Sequence, residues 1–478
     1  MLKKTSLVLI ILFSFSVASL AQKVTQLLHP APNGAIVEYL LTDGTVMVQG
    51  NSCSDWWKLT PTISGSYVKG TWKQLASLPS GYAPYATSGA VLADGRFLLT
   101  GGEYSNCGAQ FTLTNQSAIY NPKTNKWAMV APPKGWYDIG DSPSVVLPNG
   151  LYLLGRKTTK QMAVLDPATL KWTAVGSTGK SDFNAEEGWT LMPDGTVLTY
   201  DVKNNPNSEI YDPTSQTWKS AGSTIANLQG PPVEGCIHYG HNHIYCPPGE
   251  VGPGILRPDG TVFATGALHM GASAGHTAIY NPAAFGTDKW TAGPDFPNGD
   301  AAGDSFAALL PNGNVLVLGD SGTMYEFNGS TLTPTAEDFG SLIVLPTGQV
   351  LVGGATVYTS TGTYKSSWAP KITSFPATVK RGSTYKISGQ QFNGLSQAAG
   401  FGDEFGTATN YPLVRITNQA THHVFYAKTH DHSTMGVATG KTPVSTKFDV
   451  PAGAETGASS LVVVANGIPS KAVSITVE

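Results

Sequence analysis

The sequence predicts an all-β protein in which a seven-bladed β-propeller is followed by an immunoglobulin-like β-sandwich. Glycine-containing turn dipeptides recur between short apolar runs, and aromatic strand-like segments follow most of them at a similar distance. After residue 370 both signals stop, while alternating strand-like segments continue. Only 13% of the residues are charged, and 54 glycines and 32 prolines interrupt the chain. This composition favours many short strands over helices.

Seven turn signals mark the hairpins of the propeller. They are Asp43-Gly44, Asp94-Gly95, Asn149-Gly150, Asp194-Gly195, Asp259-Gly260, Asn312-Gly313 and the weaker Thr347-Gly348. Asn-Gly and Asp-Gly tolerate the positive φ angles of a tight hairpin turn. Apolar runs such as Phe97-Leu98-Leu99 flank them, as expected for strands that are buried on both faces.

A second pattern predicts the outer half of each blade, namely a strand, an Asn/Asp-Pro turn and a returning strand that carries a tryptophan. The copies run from Tyr120 to Trp127, Leu165 to Trp172, Tyr211 to Trp218, Tyr280 to Trp290 and, more loosely, Tyr358 to Trp368. We interpret these aromatic residues as packing between blades rather than as ligand contacts. The repeat is roughly 49 residues long, which matches the kelch type of propeller.

Three segments follow from these patterns: a signal peptide over residues 1–21, the propeller over 22–369 and the sandwich over 370–478. Lys3 and Lys4 precede an apolar run that ends at Ala18, and small residues follow at the cleavage position. The run is shorter than the roughly 17–25 residues of a membrane-spanning helix, although an uncleaved anchor is the alternative. We therefore expect a secreted or periplasmic protein without membrane insertion after cleavage.

Four cysteines in an exported chain indicate two disulfides rather than a metal site. Three pairings are open. Cys236 and Cys246 are close in sequence, which favours that bridge and leaves Cys53 to pair with Cys107. The net charge of −3 offers no basic field for phosphate backbones, so nucleic acid is not an expected partner.

The mature chain resembles the galactose oxidase and glyoxal oxidase superfamily over nearly its whole length. The resemblance rests on the seven kelch blades, on hairpins of the Leu310-Pro311-Asn312-Gly313 type and on Gly406-Thr407-Ala408-Thr409 in the sandwich. The sandwich is also similar to that of uncharacterised secreted bacterial kelch proteins through Asn410-Tyr411-Pro412-Leu413-Val414-Arg415 and the segment from Thr429 to Met435.

The oxidases of that superfamily hold copper with two tyrosines and two histidines, and one of the tyrosines is crosslinked to a cysteine. At the ligand positions that the resemblance assigns, this chain has Asp338, Phe339 and Asn410. The inner strand of the second blade offers Tyr85 and Ala86 but no cysteine. The resemblance therefore implies the fold, whereas copper is not expected.

Carboxylates recur where the inner strands of the blades begin. Asp141, Glu186 and Asp304 lie eight residues before their turns, Glu250 lies nine before, and Glu187 is one step further along. We predict a binding site at the channel mouth formed by Asp141, Glu187, Glu250 and Asp304. Converging carboxylates are compatible with Ca²⁺ or with acid–base chemistry on a glycan. The alternative is that they bond only channel waters and backbone amides.

The longest insertion between blades, residues 234–250, holds His238, Tyr239, His241 and His243 inside the Cys236–Cys246 loop. Alternate histidines point the same way on a strand, as metal ligands do, but a recognition loop stapled by a disulfide explains them equally. We predict Tyr239 and His241 as binding residues and assign no residue as a metal ligand.

Three functions stay open at this stage. The first is recognition of an extracellular carbohydrate or protein through the channel face of the propeller, and the second is a polysaccharide-acting enzyme that uses the channel carboxylates. The third is a copper-radical oxidase. The sequence does not decide whether the protein is catalytic, since a shared fold does not carry a shared reaction.

Overall fold

Seven antiparallel sheets, six of four strands and one of five, form the larger part of the protein in a computed structural model, which describes residues 23–232, 235–239, 243–286 and 288–478. The first strands of neighbouring sheets contact one another, so they surround a central channel. A curled β-sheet of nine strands follows and forms the C-terminal β-sandwich. The predicted fold class is confirmed. The predicted signal peptide lies outside the described residues.

Within each of the first six blades, the strands follow one another from the channel outward in chain order. Blades 1 to 3 comprise Val37–Leu40, Val46–Gln49, Trp56–Thr60 and Thr71–Gln74; Ser88–Val91, Phe97–Thr100, Ser117–Asn121 and Lys126–Val130; and Ser144–Val146, Tyr152–Gly155, Met162–Asp166 and Lys171–Val175. Blades 4 and 5 comprise Thr190–Leu191, Val197–Tyr200, Asn207–Asp212 and Thr217–Ser223; and Val251–Leu256, Val262–Gly266, Thr277–Tyr280 and Trp290–Ala292. Blade 6 comprises Ala307–Leu309, Val315–Leu318, Thr323–Phe327 and Leu332–Glu337.

Blade 7 closes the ring with a strand from the start of the described chain. Its inner strands are Leu342–Val344, Val350–Val352 and Thr356–Thr359, and the outermost strand is Lys23–Gln26, which pairs with Thr356–Thr359. The sequence pattern had predicted that Trp368 lies on this outermost strand, and that prediction is wrong. Trp368 ends the short 3₁₀ helix Ser366–Trp368 instead. A strand from the start of the described chain thus completes the last blade, and this pairing closes the ring of blades.

The recurring aromatic residues pack as predicted. The ring centroids of Trp56 in blade 1 and Trp127 in blade 2 are 5.3 Å apart, and those of Tyr200 in blade 4 and Trp290 in blade 5 are 6.3 Å apart. The strands Phe97–Thr100 and Val315–Leu318 are buried along their whole length. The apolar runs in the sequence therefore correspond to strands that are buried inside the blades.

The C-terminal sheet continues from the propeller through a short connection. Its strands are Lys371–Ser374, Thr378–Val379, Thr384–Gln390, Leu413–Asn418, Val424–His430, Pro443–Asp449, Gly457–Ala465, Ile468–Pro469 and Val473–Val477. It covers the propeller face that carries the tight hairpin turns. The backbone N–H of Thr429 donates to the carbonyl of Thr42, and the N–H of His432 donates to that of Ala93.

One connection of the sandwich, residues 391–412, leaves that domain and enters the propeller channel. We call it the channel insert. Its strand Ala399–Gly400 pairs with the first strand of blade 6, so this blade has five strands. A Cβ atom on Gly402 would lie 2.5 Å from the carbonyl oxygen of Val251, and one on Gly188 would lie 2.0 Å from that of Gly402. Glycine at these positions therefore permits the insert to thread between the inner strands.

Both predicted disulfides are present. Cys53 is bonded to Cys107 and links blades 1 and 2 across 54 positions of sequence. Cys236 is bonded to Cys246 and closes a small hairpin of the strands Ile237–Tyr239 and His243–Tyr245. No helix within the described ranges is long and apolar enough to cross a membrane.

Gly402→Ala should destabilise the protein because the new methyl group would overlap the carbonyl of Val251. We expect a loss of about 1–3 kcal/mol in the free energy of unfolding, as for other overpacked interiors. Gly453→Ala is the matched control, since a Cβ atom there meets nothing within 4 Å. Chemical denaturation of both variants checks this, and equal unfolding midpoints would contradict the threading argument.

Candidate functional site

The channel mouth is the face of the propeller at which the first strand of every blade begins. Because neighbouring strands within a blade are antiparallel, the second strands end and the third strands begin at this same face. Seven carboxyl side chains from blades 2 to 6 and from the channel insert meet here and act on one another. They are Glu103, Asp141, Glu186, Glu250, Asp304, Asp403 and Glu404. We call them the acidic cluster.

A single buried lysine compensates part of this charge. Lys157 follows the second strand of blade 3, and its Nζ donates hydrogen bonds to Asp141 Oδ2 and, at 2.9 Å, to Glu186 Oε2. The same Nζ is 3.8 Å from Glu103 Oε1. The hydroxyl of Tyr245 donates to Glu186 Oε1. Glu186 is thus held as a carboxylate by two donors.

Asp403 and Glu404 come from the sandwich domain, at the tip of the channel insert. The backbone N–H of Phe405 donates to the carbonyl of Thr87 at 3.0 Å, which fixes the tip against blade 2. The ring of Phe405 lies 5.7 Å from that of Phe306 at the start of blade 6. Five blades and a second domain therefore contribute to one site.

Sequence reasoning missed Asp403 and Glu404. The available signal was a long connection between two sandwich strands that lacks a strand pattern but repeats glycine at positions 400, 402 and 406. Long irregular connections in compact domains are often functional. The position of Asp403 and Glu404 in the channel depends on how the two domains dock, and no local sequence pattern predicts this docking.

Burial and mutual repulsion shift the pKa values of the carboxyl groups in the acidic cluster. Burial raises the pKa well above the ordinary value in four members: Asp141, Glu250, Asp403 and Glu404. Burial also opposes ionisation of Glu186, but the charge of Lys157 together with hydrogen bonds from Asp403, Lys157 and Tyr245 outweighs it, so the pKa of Glu186 is lowered. One member is thus charged beside several that resist charge.

Asp304 is the most accessible of the predicted carboxylates. Its side chain is exposed at the mouth, yet the surrounding channel wall desolvates the carboxyl group. Desolvation, followed by repulsion from Glu186, raises the pKa of Asp304 to about 7. Its backbone φ is +45°, a left-handed conformation that asparagine and aspartate tolerate better than most residues.

Of the four carboxylates predicted to share the mouth, three come together and one does not. Asp141, Glu250 and Asp304 belong to the acidic cluster, whereas Glu187 is fully buried between Lys180 and Thr199. Lys180 Nζ donates to both carboxylate oxygens of Glu187 at 2.8 and 3.0 Å. Glu186 lies in a turn with a backbone φ of +58°, and this left-handed conformation accompanies the different directions of the two neighbouring carboxylates. Glu186 faces the channel, and Glu187 faces the blade interior.

The disulfide-closed hairpin packs beside the acidic cluster through Tyr245, a residue that was not predicted. Tyr239 is buried, and its hydroxyl is 3.4 Å from Asp138 Oδ2. The hairpin residue that reaches the acidic cluster is Tyr245, whose ring also lies 5.4 Å from Lys157 Nζ. His241 lies outside the described residues.

Aromatic rings form a continuous wall at one side of the mouth. Ring centroids are 6.3 Å apart between Tyr85 and Tyr104, 5.7 Å between Tyr104 and Phe111, and 5.9 Å between Phe111 and Tyr239. Tyr85 is 41% exposed and stands at the outer end of this wall. The mouth therefore has an aromatic side and an acidic floor.

The residues at the positions assigned to copper ligands do not converge. Asp338 accepts a hydrogen bond from the hydroxyl of Thr356, and Phe339 is 69% exposed. Asn410 is buried in the interface and donates to the carbonyl of Met435 at 2.6 Å. Imidazole and thiolate ligands suit copper, whereas carboxylates suit harder ions. The acidic cluster consists of carboxylates, so its donor set does not fit a copper-radical centre.

No protein-family model matches the chain. Kelch-like protein terF of Aspergillus terreus is 25% identical over 129 residues, which are 27% of this chain and 26% of that protein. The chain thus matches only about a quarter of the length of this curated relative.

Two solved structures are similar in fold. A fungal alcohol oxidase of the AA5 family, in complex with copper, aligns with a TM-score of 0.49 at 14% identity and covers 95% of this chain and 98% of its own. A streptogramin B lyase aligns with a TM-score of 0.48 at 12% identity over 70% of this chain and 97% of its own. The seven-bladed propeller and the C-terminal sandwich agree with the predicted architecture, and these likenesses carry nothing about the reaction.

Asp304→Asn should stabilise the protein increasingly as the pH rises. The unfolded chain ionises Asp304 near its ordinary pKa of 3.8, whereas the folded protein retains the proton up to about 7. Folding is therefore penalised progressively between these values, and the penalty is constant above them. We expect the variant to exceed the parent by about 1 kcal/mol in unfolding free energy near pH 8, because solvent at the mouth screens the full effect.

The gap between variant and parent should narrow as the pH falls towards about 5. Glu337→Gln on the exposed outer strand of blade 6 is the control and should show no such trend. Denaturant unfolding at several pH values measures both. A gap that is the same at every pH would contradict the assigned pKa of Asp304.

The purified protein should carry no stoichiometric copper after exposure to the metal and removal of the excess. It should also release no peroxide from galactose or simple aldehydes. Elemental analysis together with a peroxide assay measures both. One tightly bound copper per chain, with peroxide formed from such substrates, would overturn this expectation.

Proposed function

We propose that this protein recognises an extracellular carbohydrate at the channel mouth. The observation that carries the proposal is the combination of an exposed aromatic wall with a floor of carboxyl groups. Aromatic faces pack on the apolar C–H faces of sugar rings, and carboxylates accept hydrogen bonds from neighbouring hydroxyl groups. Concave sites with apolar walls and a few directed polar groups are typical of small-ligand binding.

The distribution of exposed hydrophobic side chains supports the same face. Most of the large ones lie in loops that open at the mouth: Leu28, Tyr85, Tyr137, Phe183, Ile225, Ile244, Leu268, Met270 and Phe339. The opposite face is covered by the sandwich. Exposed apolar groups that gather on one face indicate an interaction surface.

The two disulfides are consistent with an extracellular protein. The predicted signal peptide supports export, and secretion remains part of this proposal. An extracellular protein ligand with a basic side chain is the other occupant that suits an acidic floor, and a test on immobilised proteins distinguishes it from a glycan.

A polysaccharide-acting enzyme is the second candidate, and one observation favours it. Asp304 and, in part, Glu250 reach solvent at the mouth, while Glu186 is held as a carboxylate beneath them. Paired carboxyl groups of different ionisation are what glycoside cleavage requires. Product analysis after incubation with the bound glycan decides between recognition alone and turnover.

A glycan array should show selective binding that Tyr85→Ala weakens about three- to tenfold, the loss expected for one aromatic contact. Glu250→Gln should weaken binding as well, because it replaces one of the two carboxyl oxygens at the floor with an NH2 group, which cannot accept a hydrogen bond from a sugar hydroxyl. Met129→Ala is the control, since Met129 is 45% exposed on the outermost strand of blade 2. Unchanged binding by both mouth variants would place the ligand elsewhere.

A further inference from the structure

We propose that Asp141, Asp403 and Glu404 bind a hard divalent cation, Ca²⁺ by preference, at the base of the channel mouth. The inference is independent of whether the mouth also binds a glycan. All three proposed ligands of the ion are carboxylates.

The three carboxylates have the spacing of a cation site. One ligand oxygen from each lies within 4.8 Å of the others, and all three residues are buried. Ca²⁺ binds oxygen ligands at roughly 2.3–2.6 Å, so oxygens on opposite sides of one ion are up to about 5 Å apart. A single ion therefore reaches all three side chains.

Asp403 gives the second, independent observation. It is 6% exposed, and neither of its carboxylate oxygens accepts a hydrogen bond from an N–H group or an alcohol hydroxyl of the described residues. Its side chain instead faces the carboxyl groups of Glu186 and Glu404. Oδ1 of Asp141 likewise has no donor, since Lys157 engages only Oδ2. Buried carboxylate oxygens without a partner are costly, and a cation is the partner that satisfies several at once.

There is room for an ion beside these groups. A narrow cavity of about 40 Å³ lies between the channel insert and the inner strands of blades 3 to 5; Asp403 and Glu404 line it, whereas Asp141 does not. A water molecule needs roughly 10–15 Å³ measured in this way. The cavity thus accommodates a cation together with one or two water ligands.

A second group of three carboxylates in the same propeller has hydrogen-bond donors from the protein and serves as a comparison. Glu187, Asp201 and Glu209 also lie within 4.8 Å of one another. Here Lys180 donates to Glu187 and Glu209, and the backbone N–H of Ser181 donates to Glu209 at 2.6 Å. The hydroxyl of Ser181 donates to Asp201 Oδ2 at 2.6 Å, while Asp201 Oδ1 has no donor among the described residues. Each member of this trio thus has at least one protein donor, so we expect it to bind no cation.

The donor chemistry selects the ion. Carboxylates and water are hard oxygen ligands, which favour Ca²⁺, Mg²⁺ or Mn²⁺ over copper. Mg²⁺ requires near-octahedral geometry and retains most of its water, whereas Ca²⁺ accepts several carboxylates in irregular arrangements. Such an ion would connect blade 3 to the insert and so fasten the sandwich to the propeller.

The test uses the full-length protein freed of metal with a chelator and then titrated with CaCl₂. We expect one Ca²⁺ per chain by calorimetry and a rise in the unfolding temperature. Tb³⁺ in place of Ca²⁺ should give luminescence sensitised by Trp189, which lines the same cavity. Asp403→Asn and Glu404→Gln should each weaken Ca²⁺ binding at least tenfold.

Asp201→Asn is the matched control, because it neutralises a carboxylate of the other trio, and it should bind Ca²⁺ like the parent. Circular dichroism in the absence of metal confirms that the variants fold, and Asp141→Asn provides a further ligand variant if either of the first two does not. The proposal is overturned if the parent binds no stoichiometric Ca²⁺. It is equally overturned if folded Asp403→Asn or Asp141→Asn binds Ca²⁺ as well as the parent.

Discussion

The pairing of Ala399–Gly400 with the first strand of blade 6 is the interaction on which the rest of the site depends. The inner strand of every blade presents unpaired backbone groups to the channel. Blade 6 satisfies part of this edge with a strand supplied by the sandwich. Because this pairing fixes the register of the channel insert, it also fixes where the two carboxylates at its tip arrive.

The consequence is an unusual concentration of charge in a chain that carries little. Seven carboxyl groups face one another at the mouth, with Lys157 as the ammonium group that bonds Asp141 and Glu186. Like charges in a desolvated site are costly, so some members hold protons or share a cation. The same carboxyl groups therefore affect both the stability of the fold and the binding of a ligand, as is common at functional sites.

The two acidic groups of the propeller differ in their partners rather than in their composition. Lys180 and its neighbours satisfy Glu187 and Glu209 inside blade 4, so that group holds its blade together. At the mouth, Asp403 has no such donor among the described residues. Hydrogen-bond satisfaction, and not the number of carboxylates, separates a structural ion cluster from a candidate binding site.

The sequence by itself determined the seven hairpins, the aromatic packing between blades and the sandwich, because local spacing and periodicity indicate each of them. It also determined both disulfides, since the proximity of Cys236 and Cys246 left Cys53 to pair with Cys107. It also placed Asp141, Glu250 and Asp304 at one face, since aligned repeats bring equivalent positions to one axis. Tertiary structure alone decided that Lys23–Gln26 closes blade 7, that Glu186 rather than Glu187 faces the channel, and that Asp403 and Glu404 complete the site. Those outcomes depend on contacts between segments far apart in the chain, whose geometry exists only once the two domains have docked.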